Sequence, residues 1–148
     1  MARIAVLCGT GMSDFASQLA SAPDAAASTM RLDSEWGQVP ANLISVNEDE
    51  VLIIDRHHSD SGSRTPPHGI EHRATVHAAA SFQPELVLSI NSVGSMREDF
   101  PPGSIGVAAD VLDLAERPWT FHDDHTTHAD RTSCFDSGVS EICAKTLE

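Results

Sequence analysis

Three short polar clusters carry side chains able to grip an anion. Gly9-Thr10-Gly11 closes the run RIAVLCGTG from Arg3, where two glycines let the backbone turn tightly and aim several amides at one point beside the Thr10 hydroxyl. Arg56 and His57 follow the apolar run Val51 to Asp55. A guanidinium offers a planar fork of donors to an oxyanion, and an imidazole adds a donor or an acceptor. The third cluster is Asn91, Ser92 and Gly94, just past the apolar run Leu86 to Ile90. Each has a plainer reading. Gly-x-Gly after a strand is a common tight turn, and Arg56 could pair at the surface with Asp55 or Asp60. The histidines at 58, 68, 72 and 77 suit capping or packing as well as chemistry.

A fourth cluster holds His122, His125 and His128 with Asp123, Asp124 and Asp130. Imidazole and carboxylate at short spacing suit a metal ion, but a solvated polar loop is the default, so no metal is assigned. Trp36 and Trp119 read as packing residues.

The elements that must position these groups follow from the apolar runs. Arg3 to Cys8 reads as a buried strand, Asp14 to Ala20 as a helical turn or two with Ser13 as a cap, and Ala20 to Ser28 as a small-residue surface connection. Leu43 to Val46 and Val51 to Asp55 flank the polar NEDE of 47 to 50, which reads as a hairpin. Pro66 and Pro67 exclude a helix at their own positions, so the next helix spans Ile70 to Phe82, with Gln83 and Pro84 as the break before strand Leu86 to Ile90. Strand, loop, helix, strand makes a parallel crossover, which places both strand ends on one edge of the sheet, where anions and nucleotides bind. Beyond a Pro101-Pro102-Gly103 turn, Ile105 to Leu112 reads as a further strand and Arg117 to Cys134 as a long loop. Ile142, Cys143 and Leu147 fall at helical spacing from Val139 onward. The expected class is α/β, a mixed, largely parallel twisted sheet flanked by helices.

Composition bounds the partners. The chain has 148 residues, which suits a single domain over 1–148; that length buries about 68 to 70% of the unfolded surface. Cys8, Cys134 and Cys143 are odd in number and lack CxxC spacing, so a disulfide framework or a zinc knuckle is not indicated and a reducing cytoplasm is expected. The apolar run near the N-terminus is too short for a signal core or a membrane span. A net charge of −13, with nine basic residues against 22 acidic, repels nucleic-acid backbones and anionic membranes. Any anion must be met by a local site.

Together CGTGM at 8–12, RHH at 56–58, PPHGIEHRA at 66–74 and NSVGSMREDFPPGSI at 91–105, with RPWTF at 117–121, give the chain its resemblance. It resembles the trimeric purine nucleoside phosphorylases, most closely the 5′-methylthioadenosine phosphorylase branch. The family pattern is GGTG, then RHG, PPHxINYRAN, a GS turn, PGD and RPxTF, in that order. The resemblance covers nearly the whole chain but only the N-terminal half of a usual member. It implies phosphorolysis: inorganic phosphate as co-substrate cleaves the N-glycosidic bond of a purine nucleoside, giving free purine and a sugar 1-phosphate, with no other cofactor. It also implies a phosphate cradle of Thr10, Gly11, Arg56, His57, Asn91 and Ser92. By the same resemblance His128 reaches a neighbouring subunit's substrate near the 5′ substituent, in a homo-oligomer, expected to be a trimer.

Cys8 replaces the first glycine of GGTG, His58 the glycine after RH, and EHRAT at 71–75 the NYRAN signature. The family's second half supplies a further phosphate ligand, a methionine under the ribose and the aspartate that handles the leaving purine. The chain is therefore expected to be a fragment, a split-enzyme half completed by a partner chain, or a shortened relative. In the last case it would be a noncatalytic phosphate- or nucleoside-binding or assembly module. A hydrolase using water is disfavoured by Arg56 and His57.

Overall fold

The structure is a computed structural model describing residues 1–59, 61, 63–114 and 120–147. It divides into two compact units, Met1–Val93 and Gly94–Glu148.

The first unit is built on strands β1 (Arg3–Cys8), β2 (Ala25–Leu32), β3 (Val39–Val46), β4 (Asp49–Asp55) and β5 (Leu86–Ile90), with helices α1 (Phe15–Ala20) and α2 (His72–Ser81). The sheet order is β2-β3-β4-β1-β5. β1 lies between β4 and β5 and runs parallel to both, while β2-β3 and β3-β4 are antiparallel. The sheet is thus mixed, with the parallel pairings gathered around β1, and the crossover from β4 through α2 to β5 forms as its sequence requires.

Alternation along β1 and β4 sorts the core into two layers, since neighbouring strand residues face opposite ways. Ala5, Leu7, Leu52 and Ile54 pack with Ala74, Ala78, Ala79 and Phe82, so α2 covers that face. Val6, Cys8 and Ile53 pack with Phe15, Ala16 and Leu19, so α1 covers the other. The alanines of α2 let it approach the strands closely. Ile54 is fully buried, and its truncation to alanine would cost about 2–5 kcal/mol.

Several expectations are corrected. Residues from Ala25 form strand β2, paired with β3 from Ala25↔Val46 to Leu32↔Val39, rather than a loose connection. Most of β2 is exposed, so its run of three alanines, Ser28 and Thr29 leaves no apolar alternation to read. The hairpin turn shrinks to Asn47 and Glu48, because Val46 already pairs with Asp49; Asn47 takes the left-handed conformation (φ 55°) that a two-residue loop favours. Strand β3 starts at Val39 and includes Pro40. Its ladder with β4 spans only Asn42 to Val46, so Pro40 removes no donor from that pairing. Helix α1 has Asp14, not Ser13, at its cap, and no side chain caps it. Pro67 opens a single 3₁₀ turn, Pro67–Gly69, where a missing N–H is tolerated. Helix α2 then begins at His72, and the Glu71 side chain accepts from the Arg73 amide at 3.1 Å.

In the second unit, helix α3 (Ser137–Thr146) is capped by Asp136, whose side chain accepts from the Val139 amide at 2.8 Å. The expected strand from Ile105 to Leu112 is absent. Residues 105–112 carry no strand pairing among the described residues, and Ile105 is 72% and Leu112 83% exposed. Residues 120–134 contain neither helix nor strand. Among the described residues, no group of three His, Cys, Asp or Glu side chains could hold a metal ion, and no helix is long and apolar enough to cross a membrane. Residues 117–119 of RPWTF, with Trp119, lie outside the described residues, as does Asp60.

Candidate functional site

The register places the ends of three strands level with one another. Cys8 stands opposite Asp55 on one side and Ile90 on the other. The residues that follow, Gly9-Thr10-Gly11, Arg56-His57 and Asn91-Ser92, therefore emerge at one edge of the sheet. At this edge the chain leaves β1 for the α1 face and β4 for the α2 face, the crevice where open α/β sheets bind ligands.

Hydrogen bonds carry the ladder one step past the strands. The Gly9 amide donates to the Ile90 carbonyl at 2.9 Å and the Arg56 amide to the Cys8 carbonyl at 3.0 Å. Gly9 is buried where the three loops converge: a Cβ there would stand 2.5 Å from Arg56 Nη2 and 2.9 Å from the Ile90 oxygen. Gly11 has φ 85°, a conformation that favours glycine, and faces Ser92. The Ser92 hydroxyl donates to the Thr10 carbonyl at 2.6 Å, tying the β5 loop to the β1 loop. Thr10, Gly11, Asn91 and Ser92 are exposed, so the edge they form is open to a ligand.

Arg56 Nη2 donates to the Asn91 side-chain oxygen, and Asn91 in turn donates to the Ser89 hydroxyl at 3.2 Å. Arg56 Nε is buried without a hydrogen-bond partner among the described residues. Such an orphan donor is costly unless a ligand or water satisfies it. His57 is buried at 8% exposure. Its Nδ1 lies 2.8 Å from the Thr65 carbonyl oxygen, which can only accept, so Nδ1 carries the proton. In the neutral ring Nε2 is then an acceptor, 3.3 Å from the Thr10 hydroxyl. Of the six residues expected to form a cradle, Ser92, Thr10 and His57 are linked by hydrogen bonds and Arg56 pairs with Asn91 beside them, while Gly11 joins through backbone position alone. His128 belongs to the second unit, Gly94–Glu148, in an exposed irregular stretch.

His72 holds its proton less readily than an ordinary histidine, first through burial and then through the charge of Arg56. Burial pushes the Cys8 thiol up, Asp55 pushes it further, and Arg56 opposes them, so Cys8 stays a protonated packing residue rather than a nucleophile. Behind Arg56 lies a concavity of about 140 Å³ lined in part by Trp36, Gln38, Thr65, Ile70 and Glu71. Trp36 packs on the α2-side core with its ring 5.9 Å from that of His77, as expected of a packing residue.

Asp55 is not the partner of Arg56 that proximity in sequence suggested. Both of its oxygens are taken by Arg64, at 2.9 and 3.1 Å. Arg64 and Thr65 shape the site without standing out in the sequence, because their partners lie eight to nine positions away on the far side of a loop. The one hint was an arginine directly before the TPP bend.

The family description Phosphorylase superfamily matches residues 3–148. The chain is 43% identical over 96 residues to a probable S-methyl-5′-thioinosine phosphorylase of Methanosarcina acetivorans, covering 64% of this chain and 36% of that protein. It is 32% identical over 137 residues to an S-methyl-5′-thioadenosine phosphorylase of Hyperthermus butylicus, covering 87% of this chain and 47% of that one. In these comparisons the chain spans between about a third and a half of the relative's length. Among solved structures, methylthioadenosine phosphorylase from Schistosoma mansoni in complex with adenine shares the fold at a TM-score of 0.61 and 21% identity, over 74% of this chain and 36% of that one. A methylthioadenosine phosphorylase from an antarctic soil metagenomic library does so at a TM-score of 0.55 and 23% identity, over 68% and 33%. With a family match across nearly its full length and a sheet shared with solved members, the chain belongs to the phosphorylase superfamily.

Proposed function

We propose that this chain provides the phosphate-binding part of a purine nucleoside phosphorylase acting on 5′-methylthioadenosine, 5′-methylthioinosine or a near analogue. The observation that carries the reading is the convergence of Arg56, His57, Thr10, Asn91 and Ser92 on one sheet edge. In the reaction a phosphate oxygen forms a bond to the anomeric carbon as the N-glycosidic bond breaks, and the electron pair leaves with the purine, which gains a proton. Arg56 and the loop amides hold the phosphate, whose negative charge balances the oxocarbenium character growing on the sugar. These groups all act on the phosphate side, and none is assigned to the departing purine. On the same reading His128 serves a neighbouring subunit, and the working assembly is an oligomer or a complex with a completing chain.

The second reading is a noncatalytic phosphate- or nucleoside-binding module, since every side chain placed at this edge acts on the phosphate and none on the departing purine. Purine release from 5′-methylthioadenosine, 5′-methylthioinosine, adenosine and inosine, with and without phosphate, separates the two. Phosphate-dependent release that Arg56→Ala abolishes supports the enzyme. Stabilisation by phosphate without release supports the module. Neither effect in the folded chain rejects both.

A further inference from the structure

The loop from Arg56 to Thr65 is closed on itself by contacts that also govern the charge available to an anion. Asp55 directly precedes Arg56 and is the acid nearest to it in sequence. If its carboxylate turned to Arg56 it would satisfy the guanidinium internally and compete with any bound oxyanion. Instead Arg64 takes both Asp55 oxygens in a bidentate pair, and Oδ1 also accepts from the His57 amide at 2.9 Å. Arg56 is left with a neutral acceptor, the Asn91 amide oxygen, at its Nη2 and with an unsatisfied Nε. The next residue, Thr65, completes the closure. Its amide donates to the His57 carbonyl at 2.8 Å, its carbonyl accepts the His57 Nδ1 proton at 2.8 Å, and its hydroxyl donates to the His58 carbonyl at 2.5 Å.

We propose that Arg64 is a positioning residue for the anion site: by occupying the Asp55 carboxylate it keeps the charge of Arg56 for an inorganic phosphate or a phosphate-like oxyanion, and by closing the loop it fixes His57 against Thr10. The proposal rests on the reading of this edge as a phosphate site. The pair itself is half exposed, with side chains 49% and 37% accessible, and such pairs contribute little to stability. Its weight therefore falls on binding rather than on folding.

The test measures binding of inorganic phosphate to the full chain by calorimetric titration. Arg64→Gln frees Asp55 and is expected to weaken binding roughly tenfold, the scale of one competing hydrogen-bonded contact. Adding Asp55→Asn to Arg64→Gln removes the competing carboxylate while keeping the acceptor for the His57 amide, and is expected to restore binding to within about threefold. A merely structural arginine would show no such rescue. Asp24→Asn in the Arg64→Gln background restores the same net charge away from the pair and is expected to rescue nothing. Unfolding temperatures of all variants confirm that folded chains are compared. Parent-like binding by Arg64→Gln, failure of Asp55→Asn to rescue, or equal rescue by Asp24→Asn overturns the proposal while the phosphate site stands. A folded parent that binds no phosphate, or binds it equally well as Arg56→Ala, overturns the site reading and this proposal with it.

Discussion

Gly9 and Arg56 meet so closely that no side chain can be inserted between them: a Cβ on Gly9 would lie 2.5 Å from Arg56 Nη2, with the Ile90 carbonyl oxygen only 2.9 Å away on the other strand. The guanidinium could swing aside, but the strand carbonyl could not. Gly9→Ala is therefore expected both to destabilise the first unit by about 1–3 kcal/mol through overpacking and to dislodge Arg56 from Asn91. Denaturant unfolding reads the first effect and phosphate titration the second. An alanine variant with unchanged stability and affinity would mean that the loops close less tightly than the structure has them.

Asn91 presents a neutral oxygen to Arg56, and that neutrality has a consequence. Asn91→Asp keeps the shape but supplies a full charge, which would bind the guanidinium more strongly and repel phosphate. Phosphate affinity is expected to fall about tenfold or more with no loss of unfolding temperature. Unchanged affinity would show that Arg56 does not meet the anion.

His72 links the site to pH. Burial and the charge of Arg56, with a smaller effect of His57, hold its pKa below the ordinary value, while Glu71 pulls the other way; that ordinary value, about 6.5, applies to the unfolded chain. Between the folded value and about 6.5 the unfolded chain binds more protons, so stability rises with pH across that window. The contribution is fully present above about 6.5, declines as pH falls through it, and levels off below the folded value. His72→Gln is expected to flatten the loss of unfolding temperature between about pH 7.5 and 5.5. Bound phosphate, offsetting the charge of Arg56, is expected to flatten it in the parent chain too.

Glu71 stands where the family pattern has an asparagine and caps α2 through the Arg73 amide, while its two oxygens bind the Arg73 side chain at 2.9 and 3.0 Å. The Arg73 hydrogen bond, more than any other factor, holds its carboxyl below the usual range. Glu71→Ala is expected to cost about 1 kcal/mol in thermal or denaturant unfolding, as a lost cap does. Glu71→Gln, which keeps an acceptor, should cost less. Equal losses would assign the effect to the ion pair with Arg73 instead of the cap.

Local chemistry fixed much of this before any folding. The β-branched runs at 3–8, 51–55 and 86–90 are short enough to be buried strands, and the proline pair followed by alanines forces a loop and then a close-packed helix. A strand-loop-helix-strand order sets the parallel crossover, and with it the meeting of Arg56-His57 and Asn91-Ser92 at one edge; that Gly9-Thr10-Gly11 joins them follows from β1 inserting between β4 and β5, which the sheet order decides. Other features depended on partners distant in the chain. Ala25–Leu32 is a strand because β3 offers it a ladder, although its own residues show no apolar alternation, whereas the more apolar stretch from Ile105 to Leu112 forms no strand. Asp55 chooses Arg64 over the adjacent Arg56 because loop closure delivers the more distant guanidinium to both of its oxygens. The His57 proton sits on Nδ1 because Thr65 turns its carbonyl toward the ring. Backbone propensity and apolar pattern act within a few residues and are written in the sequence, whereas a hydrogen-bond or ion-pair partner is selected by where the folded chain brings it, and only the tertiary structure decides that.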